Sequence, residues 1–206
     1  MTTQTGTVFV VDDDEAVRDS LSLLMEAESL SVECFSSPIE FLERCPDDRP
    51  GCLLLDVRMP QMSGLELRDE LQKRGSMMPI VFITGHGDVP MAVHAMQEGA
   101  IDFIQKPFRD QDLIDRIHQG IVQDRRIRQS LSDRKAITER IGSLTPRERQ
   151  VMQEVVDGKA NKVIAFELGL SERTVEIHRS RVMSKMGAES LAQLVRMVVR
   201  AQDGSG

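Results

Sequence analysis

The first half of the chain alternates two kinds of segment, and that alternation restricts its fold more than any other feature. Short, nearly continuous apolar runs occur at Val8-Phe9-Val10-Val11, Val32-Glu33-Cys34-Phe35, Cys52-Leu53-Leu54-Leu55, Ile80-Val81-Phe82-Ile83 and Ile101-Asp102-Phe103-Ile104. Runs of this length with little polar alternation are the pattern of parallel strands covered on both faces. Between them apolar residues recur at helical spacing: Val17, Leu21, Leu24 and Met25; Leu67 and Leu71; Ala92, Val93 and Met96. A last helical pattern opens near Asp110 and carries Leu113, Ile114, Ile117 and Ile121. Five strands alternating with helices predict a doubly wound (βα)5 domain with a parallel sheet over residues 1–123.

The second half carries no strand pattern. Residues 123–140 contain neither Gly nor Pro and few large apolar side chains, which predicts a solvated helical linker over 124–142. Ile127, Leu131, Ile137 and Ile141 are too irregularly spaced for a regular heptad, so a coiled-coil dimer arm is the alternative rather than the main reading. Residues 143–206 then read as an all-α module of four helices. Thr145-Pro146-Arg147-Glu148 marks the first, because Thr can cap, Pro suits the first helical position and Glu can return the capping bond. The second covers Asn161 to about Leu168. After the turn Gly169-Leu170-Ser171 the third runs to Met186, where Gly187 ends it, and the fourth spans about Ser190 to Arg200. Helix, short Gly-containing turn and helix make the helix-turn-helix arrangement.

Charge separates the same two halves. The 206 residues carry a formal net charge of −7, but residues 1–123 hold −12 and residues 124–206 hold +5. A basic module after an acidic one points to a polyanion as the second module's partner. No apolar run reaches the roughly 18 residues of a membrane span, and the polar start Met1-Thr2-Thr3-Gln4-Thr5 is not a signal peptide. Cys34, Cys45 and Cys52 form no C-x-x-C pair, which argues for reduced thiols in a cytoplasmic protein and against a disulfide scaffold or a cysteine-bound zinc. With no Trp and no Tyr, a base-stacking RNA surface is also disfavoured.

Open parallel sheets bind ligands beyond the carboxyl ends of their strands. There the predicted strands end in Asp12-Asp13, in Asp56, in Thr84 and in Lys106. Three carboxylates in one crevice repel one another unless a cation joins them, and hard oxygen ligands suit Mg²⁺. A lysine and a hydroxyl on neighbouring strand ends can hold phosphoryl oxygens, and one carboxylate can act as a nucleophile.

Val11-Asp12-Asp13-Asp14, Leu55-Asp56-Val57-Arg58-Met59-Pro60, Thr84-Gly85-His86-Gly87-Asp88 and Lys106-Pro107-Phe108 resemble the receiver domain of two-component response regulators. Leu144-Thr145-Pro146-Arg147-Glu148-Arg149-Gln150-Val151 and Leu170-Ser171-Glu172-Arg173-Thr174-Val175-Glu176-Ile177-His178 look like the LuxR-type effector domain. Together they resemble the FixJ/NarL class over about residues 7–121 and 143–200. The resemblance implies that Asp56 accepts a phosphoryl group from a sensor histidine kinase. It implies that Asp13, Asp56 and the Arg58 carbonyl bind Mg²⁺, with Asp12 acting through water. Thr84 and Lys106 would hold phosphate oxygens, Phe103 would be an aromatic switch, and the Lys106-Pro107 bond would be cis. It further implies a cytoplasmic transcription regulator, not itself an enzyme, in which phosphorylation makes a face holding Val89, Pro90, Met91 and Val93 dimerise, or release a docked effector domain, or both. Promoter DNA and RNA polymerase would be its partners, with activation the commoner outcome.

On the third effector helix, advancing about 100° per residue from Val175 places Val182 and Met186 on the same side. Arg173, Ile177, Ser180 and Ser184 fall opposite, flanked by Glu176 and Arg181, where side chains can enter a major groove. Thr174, Asn161, Lys162 and Lys185 are placed for phosphates. Arg179 lies only about 40° from the buried stripe on the same wheel, and His178 reads as a packed residue. A reading from another class is a haloacid-dehalogenase-like phosphatase with Asp12 as nucleophile and Asp14 as acid. Against it, Ala16 stands where Thr or Val is wanted, and no acidic pair follows a strand downstream of Lys106.

Overall fold

The computed structural model describes residues 6–44, 49–85 and 102–202, and the chain divides into two compact units, Met1–Arg128 and Gln129–Gly206. The first holds strands β1 (Thr7–Val11), β2 (Val32–Phe35), β3 (Gly51–Asp56), β4 (Ile80–Thr84) and β5 (Asp102–Gln105). Its helices are α1 (Glu15–Ala27), α2 (Pro38–Arg44), α3 (Gly64–Lys73) and the first part of α4 (Asp110–Gly142). All strand pairs are parallel, in the order β2-β1-β3-β4-β5. That order turns back between β1 and β3, which is where a doubly wound sheet opens its ligand crevice. The helix expected over Ala92, Val93 and Met96, and the face expected at Val89, Pro90, Met91 and Val93, lie outside the described residues, as does Cys45.

Period-two geometry explains why β1, β3 and β4 are almost continuously apolar. Val8, Val10, Cys52, Leu54, Val81 and Ile83 pack on one side of the sheet against Leu21 and Met25 of α1 and Leu113, Ile114 and Ile117 of α4. Phe9, Val11, Leu53, Leu55 and Phe82 pack on the other side against Phe41 of α2 and Leu67 and Leu71 of α3. Along β1, β3 and β4 each of these residues therefore has a covered face whichever way it points. Truncating a side chain as completely enclosed as Phe82 typically costs about 3–5 kcal/mol.

The stretch 124–142, expected as a solvated helical linker, is helical and mostly exposed, with one buried side chain toward each end. It is one continuous helix with the preceding segment, and Asp124 is 4% exposed. The Asp124 carboxylate accepts a hydrogen bond from the Gly51 N–H at 3.0 Å and from Arg128 Nε at 2.9 Å. Arg128 in turn donates to the Arg49 carbonyl. Further on, Ile137 is buried in the core of the second unit, with Ile141 packed against it. Composition does not mark these two buried positions, because a carboxylate can be buried once its charge is paired.

The second unit continues with α5 (Pro146–Val156), α6 (Asn161–Leu168), α7 (Glu172–Met186) and α8 (Leu191–Gln202). Thr145 caps α5 in a complete capping box with Glu148, as its sequence predicts. Ser171 caps α7 by accepting from the Thr174 N–H. Between α6 and α7, Gly169 sits at φ 63°, a left-handed conformation that lets the chain turn sharply after one helix and start the next. Val151, Ile164, Val175, Val182 and Met186 form the centre of this core.

Candidate functional site

The first cluster is built by strand ends. Asp12 follows β1, Asp56 closes β3, Thr84 closes β4, and Lys106 lies one residue beyond β5. Parallel pairing puts these ends side by side, and the Lys106 N–H extends the β4–β5 ladder by donating to the Thr84 carbonyl at 2.7 Å. The Lys106-Pro107 bond is cis. From that position Lys106 Nζ reaches Asp56 Oδ1 at 3.0 Å and Asp12 Oδ2 at 3.1 Å. The other Asp56 oxygen, Oδ2, accepts the Arg58 N–H at 2.7 Å, and Asp12 Oδ1 accepts the Asp14 N–H at 2.9 Å. Asp12 and Thr84 are 3% and 2% exposed, and Asp56 is buried at 9%. The Thr84 hydroxyl donates to the Gly85 carbonyl at 3.3 Å.

One lysine between two carboxylates leaves the trio one negative charge in excess. Burial pushes the Asp56 carboxyl above the ordinary carboxylate value, against the pull of Lys106 and the Arg58 N–H. For Lys106 burial works against the charged form, but the Asp56 and Asp12 carboxylates outweigh it and hold the ammonium above its usual range. Asp13, next along the chain, is exposed and makes no hydrogen bond to another described residue. Among the described residues no three His, Cys, Asp or Glu side chains gather into a metal cage. Mg²⁺ keeps several waters and asks for only one or two carboxylates, so the donor set of buried Asp12 and Asp56 beside exposed Asp13 fits it.

Asp14, the acid of the phosphatase reading, is exposed and caps α1 by accepting from the Ala16 N–H at 2.9 Å. The acid that reading assigns is therefore engaged as a helix cap. Phe103 lies on the α3 side of the sheet, half-buried, its ring centroid 6.1 Å from that of Phe82 with the planes 38° apart.

The second cluster is the helix-turn-helix. Val175, Val182 and Met186 are buried at 0–1% exposure, while Arg173, Glu176, Ile177, Ser180, Arg181 and Ser184 are all exposed on α7. The predicted reading face is thus open along its whole length, with Ile177 an apolar side chain 45% exposed at its middle. Lys162 is exposed and Asn161 half-buried at the start of α6, whose N-cap Ala160 supplies no side-chain cap. Thr174 is half-buried, its hydroxyl 2.8 Å from that of Ser171.

Lys185, expected at a phosphate, and Arg179, set lower for its nearness to the buried stripe, are both engaged inside the domain. The Lys185 ammonium lies on Glu148 Oε2 at 2.6 Å and on the Ser143 carbonyl at 3.3 Å. Arg179, near the buried stripe as its wheel position implies, donates from Nη1 to Asn161 Oδ1 at 2.8 Å. Sequence reasoning missed Arg140, whose Nη1 donates to the Met186 carbonyl at 2.9 Å and so holds the last turn of α7. No local pattern announces such a contact across 46 residues. A signal for Glu148 did exist in its capping box, but its burial at 3% exposure comes from the fold.

Glu148 makes this second cluster sensitive to acid. The Lys185 ammonium, and then the Thr145 N–H, hold its carboxyl at about 2 instead of 4.5. A carboxyl depressed in the folded state contributes stability that is complete above the unfolded value and drains as pH falls toward the folded one. Thermal melting of the second unit is therefore expected to weaken between pH 4.5 and about 2, and Glu148→Gln is expected to flatten that limb. An unchanged acid limb in the variant would show that Glu148 is not its source.

Comparison with known proteins matches both clusters. Residues 8–118 match the family described as "Response regulator receiver domain", and residues 142–198 match "Bacterial regulatory proteins, luxR family". The chain is 45% identical over 201 residues to the transcriptional regulatory protein FixJ of Bradyrhizobium diazoefficiens, covering 98% of each chain. It is 43% identical over 203 residues to the response regulator protein TodT of Pseudomonas putida, covering 98% of this chain and 89% of that one. Among solved structures, that of the response regulator StyR is 46% identical with a TM-score of 0.85, covering 95% of this chain and 99% of the other.

Proposed function

Because this chain belongs to the two-component response regulators of the FixJ/NarL class, joining a receiver domain to a LuxR-type DNA-binding domain, we infer that it regulates transcription under the control of phosphorylation at Asp56. A phosphohistidine on a sensor kinase is the donor. A carboxylate oxygen of Asp56 attacks phosphorus, the bond from phosphorus to the imidazole nitrogen breaks, and an acyl phosphate forms on the side chain. Lys106, already 3.0 Å from Asp56 Oδ1, moves its positive charge onto the incoming phosphoryl oxygens. The Thr84 hydroxyl donates to another of them. Asp13, Asp56 and the Arg58 carbonyl would hold Mg²⁺, with Asp12 acting through water; when bound, the ion neutralises charge on the phosphoryl group.

The dianion so created draws Thr84 toward it, and Phe103 turns into the space released. Dimerisation follows and brings two DNA-binding domains to two half-sites, which raises affinity through effective concentration. Arg173, Glu176, Ile177, Ser180 and Arg181 read the major groove, whereas Asn161, Lys162 and Thr174 bind phosphates. Lys185 joins them only by exchanging its bond to Glu148. The protein acts in the cytoplasm as an activator that contacts RNA polymerase; among the described residues no helix is long and apolar enough to cross a membrane.

The observation that carries this reading is the lysine bridge between two buried carboxylates at adjoining strand ends. Its test is incubation of the protein with a small acyl-phosphate donor and Mg²⁺, followed by tryptic mass mapping and sedimentation. One phosphoryl group on the peptide holding Asp56, together with a shift to dimer, is the expected result. Modification at another residue, or none, overturns it. On the DNA side, Arg173→Ala is expected to cost about 1–3 kcal/mol at the preferred sequence and to relax the choice of base there. Equal losses on all duplexes would instead make Arg173 a phosphate contact.

A further inference from the structure

The reading of α6 as a phosphate-binding element leaves open how Asn161 is held to do it. An Asn amide has one accepting end and one donating end, and only the donating end can bind a phosphate oxygen. Nothing within α6 itself chooses between them. Arg179, on the next helix, does. Its guanidinium carries donors and no acceptor, so the atom facing it at 2.8 Å is Asn161 Oδ1. Nδ2 is thereby turned to the other side, and it has no partner among the described residues.

We propose that Arg179 is a positioning residue for DNA binding, fixing the Asn161 amide so that Nδ2 donates to a backbone phosphate. The inference rests on the assignment of Asn161 to phosphate contact given above. Arg179 suits the task because it is half-buried on α7, about one turn from both Val175 and Val182 of the buried stripe. The same bond spans the turn between α6 and α7, so it sets the amide relative to the reading helix as well. Arg179 touches no DNA itself; it acts through Asn161.

The test uses the full chain, treated with an acyl-phosphate donor, and a fixed mixed-sequence DNA duplex titrated by fluorescence anisotropy over a range of salt. Asn161→Ala and Arg179→Met are each expected to weaken binding roughly three- to tenfold, the fold-change of one hydrogen bond. The double variant is expected to bind no more weakly than either single one. In the Asn161→Ala background, adding Arg179→Met is expected to leave the salt slope unchanged. A slope lower by about 0.9 would mean that Arg179 binds a phosphate directly and would overturn the proposal. Asn161→Asp guards against misfolding, since it keeps an acceptor for Arg179 while removing the donor; it is expected to melt like the parent and still lose affinity. If Asn161→Ala weakens binding and Arg179→Met does not, the positioning role fails while the phosphate contact stands. If neither substitution weakens binding, the phosphate contact fails and the proposal falls with it.

Discussion

Asp56→Asn is expected to take up no phosphoryl group from an acyl-phosphate donor and to bind DNA identically with and without that donor. An amide is a poor nucleophile, and the substitution also rearranges the site around it. Asp56 offers two accepting oxygens, one to Lys106 Nζ and one to the Arg58 N–H. Asn offers one acceptor, so one of those bonds must be lost, at about 1 kcal/mol for a typical hydrogen bond. The excess negative charge of the trio disappears at the same time, because Lys106 then faces Asp12 alone. These two effects oppose each other in stability, so the variant should melt close to the parent. Loss of modification without loss of fold is the signature to look for, by mass mapping alongside thermal melting. Modification that persists in the variant would place the acceptor elsewhere.

Gly64→Ala is expected to damage both the fold of the receiver and the chemistry of its acceptor. A Cβ on Gly64 would lie 2.2 Å from the Asp56 carbonyl oxygen and 3.0 Å from Leu55 Cγ. The first of these is backbone of the strand that carries the acceptor, and it cannot move alone. Its neighbour is held by the Gly64 N–H, which donates to the Val57 carbonyl at 3.0 Å, while Ser63 caps the helix with a capping box to Glu66. The methyl must therefore lever the first turn of α3 away or push the end of β3 toward Lys106. We expect about 3 kcal/mol of destabilisation, the upper end of ordinary over-packing. Phosphoryl uptake by the folded fraction should slow as well. Gly51→Ala is the comparison: its Cβ would meet the Thr7 carbonyl at 2.0 Å, at the opposite end of the same strand. That variant should lose similar stability, yet its folded fraction should be modified at the parent's rate. Equal rates in both variants would show that the packing of α3 on β3 does not tune the acceptor.

The sheet was legible because buried parallel strands leave an unmistakable trace. Val8 to Val11, Leu53 to Leu55 and Val81 to Ile83 have a covered face on either side, so each run is apolar without alternation. The helix starts at Thr145 and Ser171 were legible because capping is local chemistry, settled within three residues. The acidic crevice was legible too, since a parallel sheet gathers its strand ends by topology, and Asp12, Asp56 and Lys106 had only to be found at those ends.

What local pattern could not reach was how charged groups are distributed between solvent and interior. Asp124 and Glu148 look like surface carboxylates in the sequence, yet each is buried because a distant segment brings a partner: the Gly51 N–H, beside Arg128 one turn along, for one, and Lys185 for the other. Helical spacing already set Arg179 beside the buried stripe, but neither its bond to Asn161 nor that of Lys185, read as a phosphate contact, to Glu148 could be foreseen from one segment. Periodicity records which side of an element is apolar, and that is an average over many weak contacts readable from one segment alone. The pairing of a single charge depends on one donor meeting one acceptor at about 3 Å, and only the folded chain brings those atoms together.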